Sequence, residues 1–243
     1  MIVLLTDFGE SEYVGVMRGI IYSICSDAKI VDLTHSVPPQ SIREGAWILL
    51  QSYKHFPRGT IFVSVVDPGV GTTRDAVIVV TENYIHIGPD NGLLYPAAYS
   101  DGIKTVHRIL VDAGVSKTFH GRDIFAKAAA YQEAGTLDAI PTELKPRLDQ
   151  SLEFHQEERE GEVVRKDHFG NIITNIPPAA KTEYLATFQN KQKALPFFET
   201  YEHGPDQGIF IVTGSYDTLE ITAKNRSAAD FLALDVGEQL TLE

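Results

Sequence analysis

A single cysteine, Cys25, is all the thiol chemistry this chain holds, so neither a disulfide framework nor a thiolate metal site can be built from it. Cys25 falls in a helical pattern and reads as a small buried hydrophobe. Basic residues are also scarce: 21 Lys and Arg stand against 33 Asp and Glu, for a net charge of -12. No cluster of Lys and Arg offers the basic face that a phosphate backbone requires, which argues against a nucleic-acid partner. Long apolar runs are missing too, and we expect no membrane span. The first residues show no basic segment, apolar h-region or small-residue cleavage site, from which we expect a cytoplasmic protein. What is present is a chain of 243 residues, 43% of them hydrophobic, enough for one large core or two smaller ones and too apolar for intrinsic disorder.

The stretch Val65-Val66-Asp67-Pro68-Gly69-Val70-Gly71-Thr72-Thr73-Arg74 organises the rest. It follows Thr60 to Val66, an apolar run rich in β-branched residues that reads as a buried strand. An acid at the strand's carboxyl end is where open α/β sheets place their chemistry. The glycines turn the chain sharply, and the returning strand, Ala76 to Thr81, brings Arg74 back beside Asp67. A guanidinium there keeps the carboxylate ionised and oriented. The same spacing also fits an ordinary structural ion pair.

The first βα unit runs from the strand Ile2 to Leu5, through Thr6-Asp7-Phe8-Gly9, into a helix over Tyr13 to Cys25. It sets Asp7 at a strand end, where a carboxylate suits a ribose diol or a helix N-terminus equally. Lys29 to Leu33 is a second strand, followed by the extended loop of Pro38 and Pro39 and a helix capped by Ser41 and reaching about His55. Gly88-Pro89-Asp90-Asn91-Gly92 is a turn whose Asp90 and Asn91 either cap the next helix or line a site. His120 precedes a helix through Ala134, where backbone N–H groups favour a neutral imidazole. Such a ring beside a carboxylate suits a proton acceptor; by itself it also suits a capping or buried histidine.

From Leu137 to Glu160 the chain turns rich in proline and charge, which reads as a connection with a domain boundary near residue 155. We expect an α/β domain over 1–155 with a mostly parallel central sheet. A smaller all-β, barrel-like antiparallel domain is expected over 156–243, built from short strands at 161–166, 172–176, 208–212, 219–223 and 239–242.

Five motifs, in this order, carry a family resemblance: Thr6-Asp7-Phe8-Gly9, Thr34-His35-Ser36-Val37-Pro38, Val66-Asp67-Pro68-Gly69-Val70-Gly71, Phe119-His120-Gly121-Arg122-Asp123, and Asp167-His168-Phe169-Gly170-Asn171-Ile172-Ile173-Thr174-Asn175. Each is weak alone, but the collinear set resembles the S-adenosyl-L-methionine (SAM) hydroxide adenosyltransferases, relatives of the fluorinating and chlorinating enzymes that use SAM. The resemblance implies hydrolysis of SAM to adenosine and L-methionine without a metal or other cofactor. It implies catalytic roles for Asp67, Arg74 and His120, and ribose binding by Asp7. It implies contacts from Asp167 and Ser215 to the methionine moiety, from Phe169 and Asn171 to adenine, and from the backbone of residues 225–228 to adenine. It also implies homotrimers whose active site lies at the subunit interface.

The halogenating relatives resemble the chain around the central turn but carry Tyr and Thr where this sequence has Asp67 and Val70, and they lack the His120 equivalent. A desolvated halide beside an ionised Asp67 would be repelled, so useful halogenation is not expected. Two other readings compete with hydrolysis. One is a protein that binds SAM or adenosine without turnover, which needs Asp7, Phe169 and Asn171 but leaves Asp67, Arg74 and His120 idle. The other is a divalent-metal phosphoesterase using Asp7, Asp67 and Asp123, against which Arg74 beside Asp67 would repel the metal.

Overall fold

The computed structural model describes residues 1–112 and 114–243, which fall into two compact units, Met1–Leu152 and Glu153–Glu243. The first contains β1 (Ile2–Thr6), α1 (Glu12–Ile24), β2 (Ile30–Thr34), α2 (Ile42–Ser52), β3 (Ile61–Val65), β4 (Ala76–Thr81), β5 (Ile85–Pro89), α3 (Tyr95–Asp101), β6 (Ile103–Ile109), α4 (Ala126–Glu133) and β7 (Thr142–Lys145). One sheet of order β2-β1-β3-β5-β4-β6-β7 runs through it. Its first three pairings are parallel and its last three antiparallel. The α/β reading therefore holds, with the parallel half carrying the first strand-end acids.

Why β1 and β3 are central follows from their composition. Every residue of both is buried, as expected for parallel strands covered on both faces. Alternation then sorts the faces. Ile2, Leu4, Ile61, Val63 and Val65 pack with Val14, Met17 and Ile21 of α1 and Phe125 and Ala129 around α4. On the opposite face Phe62 stacks on His86 with ring centroids 5.3 Å apart. Thr6 is in register with Val65, so the loops bearing Asp7 and Asp67 leave neighbouring strands at the same end of the sheet.

Residues 137–160 are more than the connection their composition suggests, because β7 lies within them and pairs with β6 at the sheet edge. Pro141 and Pro146 bracket this strand and set its length. Ser41 stands at the N-cap of α2, yet its hydroxyl donates to Glu44 Oε1 at 3.2 Å and does not accept from the backbone. Asp90 and Asn91 do not cap α3, whose N-cap position is Leu94.

The second unit holds β8 (Glu160–Lys166), β9 (Ile172–Thr174), β10 (Glu183–Phe188), β11 (Lys191–Pro196), β12 (Phe210–Thr213), β13 (Leu219–Thr222) and β14 (Gln239–Leu242). Its order is β11-β10-β14-β8-β9-β13-β12, with antiparallel neighbours throughout. A bridge between Phe197 and Ile211 brings the two ends together, with Phe198 N donating to Ile211 O at 2.9 Å. This near-closure accounts for the barrel-like form, since a closed sheet leaves no free edge. The hairpin β10–β11 is an addition to the five strands expected from sequence.

His86 has a consequence for acid stability. It is fully buried, neither ring nitrogen has a hydrogen-bond partner among the described residues, and burial pushes its pKa from 6.5 down to about 4. Between those values the unfolded chain binds a proton that the folded one refuses. Stability is therefore intact above pH 6.5 and falls by about 3 kcal/mol as pH drops through this window. Urea titrations of wild type and His86→Leu at pH 7 and pH 4.5 should show a clearly smaller acid loss in the variant.

Candidate active site

Three side chains from two segments of the first unit meet at the end of the sheet. Arg74 closes the loop between β3 and β4, and its guanidinium engages Asp67 with two donors: Nε donates to Oδ1 at 3.0 Å and Nη2 donates to Oδ2. The same Nη2 lies 2.8 Å from His120 Nδ1. Beneath it, the Phe125 ring centroid is 5.4 Å from Arg74 Cζ. The pair is nearly enclosed, with side chains 10% exposed for Arg74 and 5% for Asp67, and water screens it poorly. The loop's tight path depends on Gly71, at φ 76°, where a Cβ would come within 2.2 Å of the Lys117 carbonyl oxygen.

A guanidinium has hydrogens to give and no lone pair to offer, so Nδ1 of His120 must be the acceptor. The ring is then neutral, with its hydrogen on Nε2. Burial lowers the His120 pKa, the Arg74 charge lowers it further, and Asp67 and Asp123 oppose both. His120 stands, as the sequence suggests, at the N-cap of a helical run, whose first turn, Gly121–Phe125, is π-helical and leads directly into α4 at Ala126. Protonating Nδ1 would set two donors against each other. An activity that uses this arrangement should lose kcat/KM on an acid limb lying below pH 6.5, the ordinary histidine value, and the limb should move to higher pH in Arg74→Met, which removes the lowering charge.

Asp7 sits after β1 with Oδ2 accepting the Gln40 backbone N–H at 2.8 Å. Gln40 adopts φ 65° after the double proline, a left-handed turn that aims this donor. Its carboxylate keeps lone pairs for a ligand. His35, in the loop after β2, has Nδ1 2.9 Å from Thr6 Oγ1. Asp123 pairs with Arg122 through Nε at 2.7 Å and Nη2 at 2.9 Å. Asp67 and Asp123 each face an arginine, and the acids Asp75, Asp90 and Asp149 converge on Lys145. Among the described residues, these cations stand against Asp67, Asp123 and the Asp75, Asp90 and Asp149 group where the metal phosphoesterase reading would need its ion.

In the second unit a groove of about 1010 Å³ is lined by Asp167, Phe169, Asn171 and Ser215, together with Tyr201 and Glu220. Asp167 shapes the loop after β8: Oδ1 accepts from the backbone N–H of Phe169 and of Asn171, each at 2.9 Å, and Oδ2 from Asn171 Nδ2 at 2.9 Å. Asn171 Oδ1 takes the Thr222 hydroxyl at 2.5 Å. Phe169 stands 76% exposed in the groove, an open aromatic face of the kind on which a base stacks. Ser215 lies exposed in the loop between β12 and β13. Asn225, Arg226 and Ser227 complete the wall. Sequence reasoning did not find Gln40, which acts through its backbone, or the pair in which Tyr201 donates to Glu220 Oε2 at 2.9 Å. Burial raises the Glu220 carboxyl.

The SAM hydroxide adenosyltransferase N-terminal domain matches residues 2–140, and the C-terminal domain of the same family matches residues 161–241. The chain belongs to the SAM hydroxide adenosyltransferase family. An (R)-S-adenosyl-L-methionine hydrolase of Salinispora arenicola is 33% identical to it over 97% of this chain and 94% of its own length. Another of that name, from Thermus thermophilus, is 32% identical over 98% and 97%. The solved structure of an uncharacterized conserved protein from Thermotoga maritima superposes with a TM-score of 0.88 at 30% identity, covering both chains completely. The Asp67, Arg74 and His120 cluster lies in the part matched by the adenosyltransferase N-terminal domain, and the groove lies in the part matched by its C-terminal domain.

Proposed function

We propose that the chain hydrolyses S-adenosyl-L-methionine to adenosine and L-methionine, by attack of water on ribose C5′. The observation that carries this reading is the enclosed Asp67–Arg74–His120 cluster in a chain of the SAM hydroxide adenosyltransferase family. The water oxygen forms a bond to C5′ while the C5′–S bond breaks, and its electron pair returns to sulfur, giving the neutral thioether of methionine. Sulfonium is an excellent leaving group, so neither a Lewis acid nor leaving-group protonation is required. What remains is to present and deprotonate a weak nucleophile, a role worth typically about 10²–10⁴-fold.

The Arg74–His120 bond supports a division of labour. Asp67, a carboxylate oriented by Arg74, takes the proton as the O–C bond forms. His120 offers Nε2–H, which suits holding the water oxygen. Arg74 stabilises hydroxide character, and fixed placement of water against carbon supplies the entropic part of the rate. Asp7 binds the ribose hydroxyls, Phe169 and Asn171 the adenine, and Asp167 and Ser215 the methionine end.

Incubating the protein with SAM and separating the products tests the reading: adenosine and methionine should appear in equal amounts. Unchanged SAM retained by the protein would favour the alternative of binding without turnover. We also propose a cytoplasmic homotrimer with each site completed at a subunit interface, in keeping with the family resemblance and the single cysteine. A mass of one chain in light scattering would remove that assembly, and recovery outside the cytoplasm on fractionation would remove that location.

A further inference from the structure

The turn that carries Asp67 and Arg74 is anchored by groups the chemistry does not use. Lys145, the last residue of β7, reaches past β6 to the ends of two further strands. Its Nζ lies 2.7 Å from Asp75 Oδ2, 2.7 Å from Asp90 Oδ2 and 2.5 Å from Asp149 Oδ2. An ammonium has three hydrogens to donate, and each meets a carboxylate. Asp75 directly follows Arg74, and Asp90 directly follows β5. The Lys145 and Asp90 side chains are 11% and 1% exposed, so removing the lysine would strand a buried charge.

Asp90 and its neighbour Asn91 touch both ends of the turn. Asp90 N donates to the Asp75 carbonyl at 2.9 Å, the carbonyl that also receives Arg74 Nη1 at 3.4 Å. Asn91 Nδ2 donates to the carbonyl of Val66, the residue before Asp67, at 2.9 Å. Leu93 N steadies the amide by donating to Asn91 Oδ1 at 3.2 Å. Between these anchors the segment is spanned by its own short turns, Val70 N to Asp67 O and Thr72 N to Gly69 O. One two-residue stretch therefore gauges the separation of the strand end bearing Asp67 from the returning strand that follows Arg74.

We propose that Asp90, Asn91 and Lys145 are positioning residues, a brace that sets Asp67 against Arg74 and, through Arg74, the contact with His120 Nδ1. Its effect on rate rests on the hydrolytic reading above; its effect on the geometry of the cluster does not. A displacement of about 1 Å in such a site costs on the order of 10²-fold in rate.

The test compares wild type with Lys145→Met, Lys145→Arg and Asn91→Ala by steady-state kinetics on SAM and by ¹⁵N NMR of the His120 ring in ligand-free protein. In Lys145→Met and Asn91→Ala, kcat should fall on the order of 10²-fold while KM stays within about threefold, the pattern of lost transition-state alignment. The Nδ1 resonance should move from its wild-type, hydrogen-bonded position. Lys145→Arg keeps the charge and should recover part of both. Should Lys145→Met not fold, Asn91→Ala, which removes no charge, decides the matter. Folded variants with wild-type kcat and wild-type His120 resonances would overturn the brace, as would a lowered Tm with no other change. If wild type releases no adenosine, the hydrolytic reading fails, and the His120 resonance alone then decides the brace.

Discussion

Asp67→Asn is expected to lower turnover of SAM by about 10²–10⁴-fold while leaving its binding within a few-fold, about 1 kcal/mol. The variant keeps the shape of the side chain and loses its charge. One amide oxygen can still accept from Arg74, but the amide N–H₂ must then face a second guanidinium donor where Oδ1 and Oδ2 now accept both. The water loses its proton acceptor, and Arg74 loses the counter-charge that holds it in a nearly enclosed site. Leaving such a charge unpaired costs roughly 3–5 kcal/mol in buried pairs, so a melting curve belongs beside the kinetics. Binding is expected to persist because Asp7, held by Gln40, and the groove around Phe169 are separate from the substitution. Calorimetry with SAM and a nucleoside assay check the two halves, and normal turnover would remove Asp67 from the mechanism.

Arg74→Lys should lower kcat on the order of 10²-fold despite preserving the charge. The native guanidinium serves two partners at once: Nε and Nη2 fork onto Asp67, and Nη2 reaches His120 Nδ1. An ammonium is a point charge on a flexible stem and cannot hold that planar fork. Combined with Asp67→Asn, the loss should fall well short of the product of the two single effects, because the residues act as one unit. Kinetics of the two single variants and the double variant make the comparison. Multiplying effects would mean that Arg74 acts independently of Asp67.

The placement of Asp7 and Asp67 at the ends of buried strands, and of Arg74 beside Asp67, was legible in the sequence for a physical reason. Buried parallel strands are written as unbroken apolar runs, and the Gly and Pro turns after them mark where polar groups emerge. β4 and β14 have the bounds the pattern suggests. Edge strands were harder: β7 has no buried residue and β11 only one, so no buried face imprints an alternation on them. β10 does carry one, in Tyr184, Ala186 and Phe188, and that signal would have found the hairpin. Gln40 contributes a backbone N–H, which no side chain advertises. The ties of Lys145 to Asp75 and Asp90 span 70 and 55 residues, a separation at which only the folded sheet brings charges together. The Tyr201–Glu220 pair of the groove is hidden in the same way.

The most direct measurement of the hydrolytic account is incubation of the protein with SAM in ¹⁸O-water, followed by mass spectrometry of the nucleoside. The account predicts adenosine carrying one heavy oxygen at its 5′ position, formed together with methionine. Adenosine without the label would place the bond cleavage elsewhere, and SAM recovered intact would mean that Asp67, Arg74 and His120 do not deliver water to C5′.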